Sequence, residues 1–483
     1  MPSVKNNIFL NGLNTVTSIL FPLVTFPYVA RILMPEGLGE FNFLNGIIGY
    51  IVLITSLGIP MYAVKEIGRV QDNIKERNTI AAEIIYLSLS LCIFGYIIVF
   101  LLIEYVPKIA TQYRLFLILS LTIFFNCIGV NWFFQGTENF KYITIRAIIF
   151  RSLSAICLFL FVKSPEDILT YGCIVVGSTV GNNFINFFHL RNFIPLKYFK
   201  IKNLHIWRHF RPIIQVFTLN LIISLYVQLN TIMLGFMADD KQVGYFVAGT
   251  KITHVAITLI GSISIVMIPR CSNLLKNGDT GSFSKLINKS LNLNLLLSIP
   301  IMVGLYVLAT PLTYVFCGRE YGQAIPILYW NIPVIYLINI TTLTGLQILY
   351  PLGKLNYVII SVLFGAVVNI VFNLIFIPKY GAQGAAISTT ITEITVYFIQ
   401  IILGRKYYPF SLSKLWNIKY ILATLIACGL VYLANIRLSS DYTRIILGIV
   451  IGSVSYFSIL YYLRDSTTHE IINIFTKKQI NLK

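Results

Sequence analysis

The sequence predicts an all-α integral membrane protein of about 14 transmembrane helices. Three observations carry that expectation. Of the 483 residues, 57% are hydrophobic and 11% charged, against roughly 25% charged in a soluble domain. Polar surface is therefore too scarce to wrap a soluble globule of this size. The apolar residues come in blocks of about 20, each long enough as a helix to cross a hydrocarbon core of roughly 30 Å. The blocks do not alternate with the period of two that a membrane strand needs.

In chain order the spans fall at 8–30, 41–59, 80–103, 113–134, 143–162, 168–189, 213–236, 244–268, 288–314, 325–349, 356–376, 383–404, 417–435 and 443–463. Pro22 and Pro27 interrupt the first, and Pro300, Pro311 and Pro333 interrupt the region 288–349. Membrane helices tolerate proline where neighbours satisfy the freed carbonyl. The first block lacks a small-x-small cleavage site, so it is expected to be a retained helix. Lysine and arginine placement sets the orientation. With the N-terminus inside, 25 of the 37 Lys and Arg lie in cytoplasmic segments, 9 outside and 3 within spans. An even number of spans then puts both termini in the cytoplasm. The largest basic cluster, Arg191, Lys197, Lys200, Lys202, Arg208 and Arg211, lies between spans six and seven. It is expected to be a linker lying near anionic headgroups, not a nucleic-acid surface.

The chain carries weak internal similarity. Leu38-Gly39-Glu40-Phe41 resembles Val243-Gly244-Tyr245-Phe246, Tyr171-Gly172 resembles Tyr380-Gly381, and Gly136-x-x-Asn139-Phe140 resembles Gly353-x-x-Asn356-Tyr357. Three matches in order suggest duplicated six-helix bundles, a transporter architecture. The expected organisation is a lobe at 1–190, a basic cytoplasmic linker at 191–212, a second lobe at 213–405, and spans 13 and 14 with a cytoplasmic tail at 406–483.

Enzyme chemistry finds no support. Seven scattered cysteines contain no CxxC, and the five histidines show no ligand spacing, so no metal site or cofactor is expected. No Gly-rich loop precedes a Lys-Ser/Thr pair to cradle a nucleotide. The outer loops are about 4 to 12 residues, shorter than a membrane polysaccharide polymerase would use.

Ionisable groups at membrane depth cost roughly 2.5–3.5 kcal/mol each and usually face an interior cavity. Here that set is basic: Arg146 and Arg151 in span five, Lys251 in span eight, and Arg31 closing span one. Glu393 in span twelve is the clearly internal acid and the candidate for ion coupling, with Glu83 nearer an entrance. Cations with few acids suit an anionic substrate such as a diphosphate, for which arginine offers forked donors. A second candidate set is amide: Asn14, Asn45, Gln135, Asn230, Asn369 and Asn373, with Asn11, Asn220 and Gln228 nearby. Asn369 and Asn373 share a helix face. Such amides donate to sugar hydroxyls or join helices to one another. Tyr28, Trp132, Trp330, Tyr461 and Tyr462 stand at span ends, as an interfacial aromatic belt would.

Several segments resemble the polysaccharide-transporter branch of the multidrug/oligosaccharidyl-lipid/polysaccharide exporter superfamily, the Wzx-type O-antigen flippases. They are the run Phe26 to Gly39, Tyr62-Ala63-Val64-Lys65-Glu66-Ile67, and Trp132-Phe133-Phe134-Gln135-Gly136-Thr137-Glu138-Asn139-Phe140-Lys141-Tyr142. Two more are Asn230-Thr231-Ile232-Met233-Leu234-Gly235 followed by Val243-Gly244-Tyr245, and the stretch from Leu349 through Asn369 and Asn373 to Gly384. The chain departs at Asn230, where relatives often carry Asp. The resemblance implies two six-helix lobes arranged as a V. It implies alternating access for an undecaprenyl-diphosphate-linked oligosaccharide in a bacterial inner membrane, with membrane lipids and polymerase and chain-length proteins as partners. Alternatives are a drug or cation antiporter of the same superfamily, which would want an acid in span one, and a peptidoglycan-precursor flippase.

Overall fold

The structure, a computed structural model, describes residues 4–199, 204–436, 438–470 and 473. Lys200 and Lys202 lie outside the described residues, as do the side chains of Asn11 and Asn220. The chain is helical almost throughout, and it divides into two compact units, Met1–Gly244 and Tyr245–Lys483. In the first unit the helices are α1 (Val4–Ser56), α2 (Ile59–Arg69), α3 (Ile74–Tyr105), α4 (Pro107–Thr111), α5 (Tyr113–Ile128), α6 (Asn131–Gly136), α7 (Phe140–Phe161), α8 (Ile168–Leu190) and α9 (Phe210–Met237). The boundary falls within α10 (Asp240–Lys276). The second unit continues with α11 (Thr280–Phe316), α12 (Ala324–Thr342), a π-helical turn at Leu343–Leu349, α13 (Leu355–Gly404), α14 (Ile418–Ile436) and α15 (Asp441–Tyr462).

Among the described residues, eleven helices are long and apolar enough to cross a membrane. Two of them are long enough for two crossings. At 53 and 50 residues, α1 and α13 would each run roughly 75–80 Å if straight. Each instead consists of two helices meeting at one non-helical residue, Met34 (φ 59°, ψ 173°) and Gly381 (φ 55°, ψ −130°). The first kink sits against the α7–α8 turn: the Tyr28 hydroxyl donates to the Val162 carbonyl at 2.7 Å, and the Phe41 ring meets Tyr171 at 4.5 Å. Each half of α1 and α13 coincides with one expected span. Pro300, Pro311 and Pro333 lie inside continuous helices.

The second half of α1 lies along α9 and the start of α10 at unusually short range. A Cβ at Gly39 would stand 1.6 Å from the Asp240 carbonyl oxygen, and one at Gly244 would stand 1.8 Å from the Pro35 carbonyl oxygen. Each glycine thus faces the carbonyl four residues before the other, so the two similar motifs noted in the sequence meet reciprocally. Only a residue without Cβ allows backbones this close. Lys108 closes the same end. Its ammonium pairs with Asp240 at 2.7 Å, donates to the Gly235 carbonyl at 2.6 Å and lies over the Phe43 ring.

At the other end of this unit an apolar core gathers Tyr62, Ile67, Ile84, Phe133, Phe134 and Ile213. Trp132 belongs to it and is buried. The short α6 follows the break at Gly129 and packs its aromatic run into this core. Trp330, Tyr461 and Tyr462 are exposed.

Candidate functional site

Two arginines organise the polar interior of the first unit, and both lie on α7. The break between α5 and α6 leaves Asn131 free of the longer helix, and Asn182, Asn183 and Asn186 share a face of α8. Arg146, only 6% exposed, fills the space between them. Its Nε donates to Asn182 Oδ1 at 2.7 Å and its Nη2 to Asn131 Oδ1 at 2.5 Å. Asn186 Nδ2 donates to the same Asn131 oxygen at 3.1 Å, and the guanidinium lies 4.9 Å from the Tyr142 ring. Arg146 Nη1 and Asn186 Oδ1 are buried without a partner. Five residues on, Arg151 faces the first half of α1. Its Nη1 donates to the Asn14 carbonyl at 3.1 Å, Asn14 Oδ1 at 2.9 Å and Thr17 Oγ1 at 2.9 Å. Neutral oxygens accept from both guanidinium groups, and no carboxylate pairs with either among the described residues.

The structure therefore brings Arg151 and Asn14 together, and joins Arg146 to amides the sequence reading passed over. Arg31, Asn45 and Gln135 are exposed, and Asn230 is buried on α9. In the second unit Lys251 is half-buried on α10, and Glu393 is buried on α13. Asn373 Nδ2 donates to Asn369 Oδ1 at 3.1 Å, both residues being buried.

Glu83 centres a second polar cluster. It is fully buried. Its carboxylate accepts from the His205 N–H at 2.8 Å, Arg208 Nε and Nη2 at 2.9 and 2.6 Å, and stands 2.7 Å from His209 Nε2. His209 Nδ1 in turn meets the Tyr62 hydroxyl at 2.7 Å. Burial lowers the His209 pKa more than the neighbouring carboxylate raises it. The basic connection between α8 and α9 is thus pinned to α3 at its end, and is more than a charged surface. No group of three or more potential metal ligands occurs among the described residues.

With this geometry in hand, the sequence profile of the family described as polysaccharide biosynthesis protein matches residues 4–275, more than half of the chain. The chain belongs to that family. Its relatives include a Shigella dysenteriae protein named for O-antigen transport, 25% identical, with 82% of this chain and 99% of the relative covered. Another is the Staphylococcus aureus capsular polysaccharide biosynthesis protein CapF, 23% identical over 81% of this chain and 96% of the relative. Among solved structures, the lipid II flippase MurJ in an inward closed conformation matches with a TM-score of 0.73 at 19% identity, covering 98% of this chain and 100% of that one. An inward-facing multidrug transporter of the MATE family matches at 0.63 and 17% identity, covering 80% and 93%. At those identities the likeness is one of fold. It places this member of the polysaccharide biosynthesis family among multi-pass helical membrane proteins, and the family's match spans both α7 arginines and their amides.

Proposed function

We propose that the protein is a flippase for polyprenyl-diphosphate-linked oligosaccharide repeat units of the O-antigen or capsule type. It carries them from the cytoplasmic to the outer leaflet of a bacterial inner membrane by alternating access, and performs no covalent chemistry. Family membership and the relatives named for O-antigen transport and capsule biosynthesis support this reading. One observation bears most of the weight: Arg146 and Arg151 lie within an apolar span, and among the described residues their hydrogen-bond partners are neutral. A buried cation without a carboxylate is costly unless water or an anion meets it, and a diphosphate supplies that anion. Amides around the arginines then read sugar hydroxyls. Arg31, Lys251, Asn45, Gln135, Asn230, Asn369 and Asn373 are proposed further contacts, and Glu393 is the proposed coupling acid.

In the same reading the lobes are 1–190 and 213–405, joined by the linker 191–212 and followed by 406–483. Both termini are cytoplasmic, and polymerase and chain-length proteins receive the product. The test is reconstitution into vesicles carrying a fluorescent undecaprenyl-diphosphate oligosaccharide, with translocation read by its exposure to an added glycosidase. Catalysed exposure supports the proposal. Export of an organic cation with no movement of the lipid-linked sugar would replace it with antiport, and movement of lipid II alone with a peptidoglycan role.

A further inference from the structure

A cleft of about 650 Å³ opens in the second unit where α11 and α14 begin and the chain leaves α15. Lys285, Lys289 and Lys414 line it, together with Asn288, Asn292 and Asn417. One carboxylate, Glu470, shares the cleft and pairs with Lys289. Lys414 Nζ donates to Asn288 Oδ1 at 3.0 Å, which holds that ammonium at the rim instead of free in solvent. Three cations against one acid leave a surplus positive charge, beside the amides of Asn292 and Asn417.

An apolar groove lies along α14 from the cleft. Ile418 and Thr467 belong to the cleft. One and two turns further along the same face of α14, Leu422 and Ile426 form a groove of about 460 Å³ with Ile459, Tyr462 and Leu463 of the α15 end. Trp416 stands at the junction, 66% exposed, as an aromatic does at the headgroup level. A cationic, amide-lined cleft followed along α14 by an apolar surface groove matches the chemistry of a phosphate headgroup with attached hydrocarbon chains.

We propose that this cleft is a binding site for an anionic phospholipid. Its phosphate is held by Lys285, Lys289 and Lys414, and an acyl chain lies in the α14–α15 groove. The site falls outside residues 4–275 and is independent of what the protein transports. A bound lipid would add to the contacts Lys289–Glu470, Lys414–Asn288 and Tyr420–Thr467 that already join the start of α11, α14 and the segment after α15.

The test uses the full chain in detergent, with native mass spectrometry counting retained lipids after equilibration with phosphatidylglycerol, phosphatidylcholine or inorganic phosphate. Phosphatidylglycerol is expected to be retained in preference to phosphatidylcholine. The triple variant K285Q/K289Q/K414Q is expected to weaken retention by about fivefold per lysine, on the order of a hundredfold in all. The exposed Lys241→Gln, in the first unit, leaves retention unchanged. Ser458→Trp, which fills the groove without touching a lysine, lowers retention of phosphatidylglycerol while sparing binding of glycerophosphate. Equal retention of phosphatidylcholine, or an unchanged affinity in the triple variant, would overturn the proposal. So would competition by inorganic phosphate as effective as that of the lipid, or stoichiometric displacement by undecaprenyl phosphate.

Discussion

Replacing Arg151 with alanine separates stability from transport, because the structure lets the two sides of its balance be compared. An arginine at the centre of a membrane helix costs roughly 2.5–3.5 kcal/mol to insert. Against this stand three hydrogen bonds from Nη1 to Asn14 and Thr17. Bonds between membrane helices average about 0.6 kcal/mol each, so the three recover only about 2 kcal/mol. Arg151→Ala should therefore leave the folded protein within about 1–2 kcal/mol of wild type. Translocation of the lipid-linked diphosphate sugar should fall at least tenfold, since losing one charge-assisted contact to phosphate removes about 1.5–3 kcal/mol. Arg151→Lys keeps the charge and loses the fork, and should recover part of the rate. The assay pairs a thermal melt in detergent with the vesicle translocation measurement. Wild-type transport by the alanine variant would refute the substrate role. A collapse in expression and melting temperature would show that the arginine is needed mainly to join α7 to α1.

Lowering the pH should destabilise the first unit. His209 is held neutral by burial, with Glu83, Tyr62, Arg208 and Glu66 facing it. Its folded pKa lies below the unfolded value of about 6.5, so stability is complete above that pH and drains away as pH falls toward the folded pKa. Melting curves between pH 8 and 5 should show this slope, and His209→Gln should flatten it. Gly244→Ala should cost about 1–3 kcal/mol or more, since its Cβ would press on the Pro35 carbonyl. Gly12→Ala, with nothing within 4 Å, should be silent in the same melt. A phosphatase fused after Lys483, active only outside the cytoplasm, should stay inactive; activity there would reverse the topology.

Much of the fold was legible because a bilayer imposes a simple rule, a block of about 20 apolar residues per crossing. What hydropathy cannot see is how crossings are joined. Met34 and Gly381 end one helix and begin the next with a single residue, and nothing in composition separates such a kink from a continuous helix. The candidate site was half legible. Arg146 and Arg151 stood out as cations in apolar spans, but their partners are neutral amides, which look alike whether they bind or merely pack. Asn182-Asn183-x-x-Asn186 in span six is an amide-rich stretch that the sequence reading passed over. Only Asn131, set loose by the break after Gly129, shows what that face is for. The partners of Glu83 were not legible, because they lie more than 120 positions away in sequence.

The reciprocal contact of Gly39 with Asp240 and Gly244 with Pro35 has an evolutionary consequence. Each glycine meets a main-chain carbonyl, and a carbonyl is present whatever residue occupies positions 35 or 240. A side chain gained at 39 therefore has no smaller neighbour that could be selected to make room, and the same holds at 244. The two positions should each stay glycine independently, without changing in concert. Methods that read spatial neighbours from correlated substitution would be blind to one of the closest approaches in the molecule.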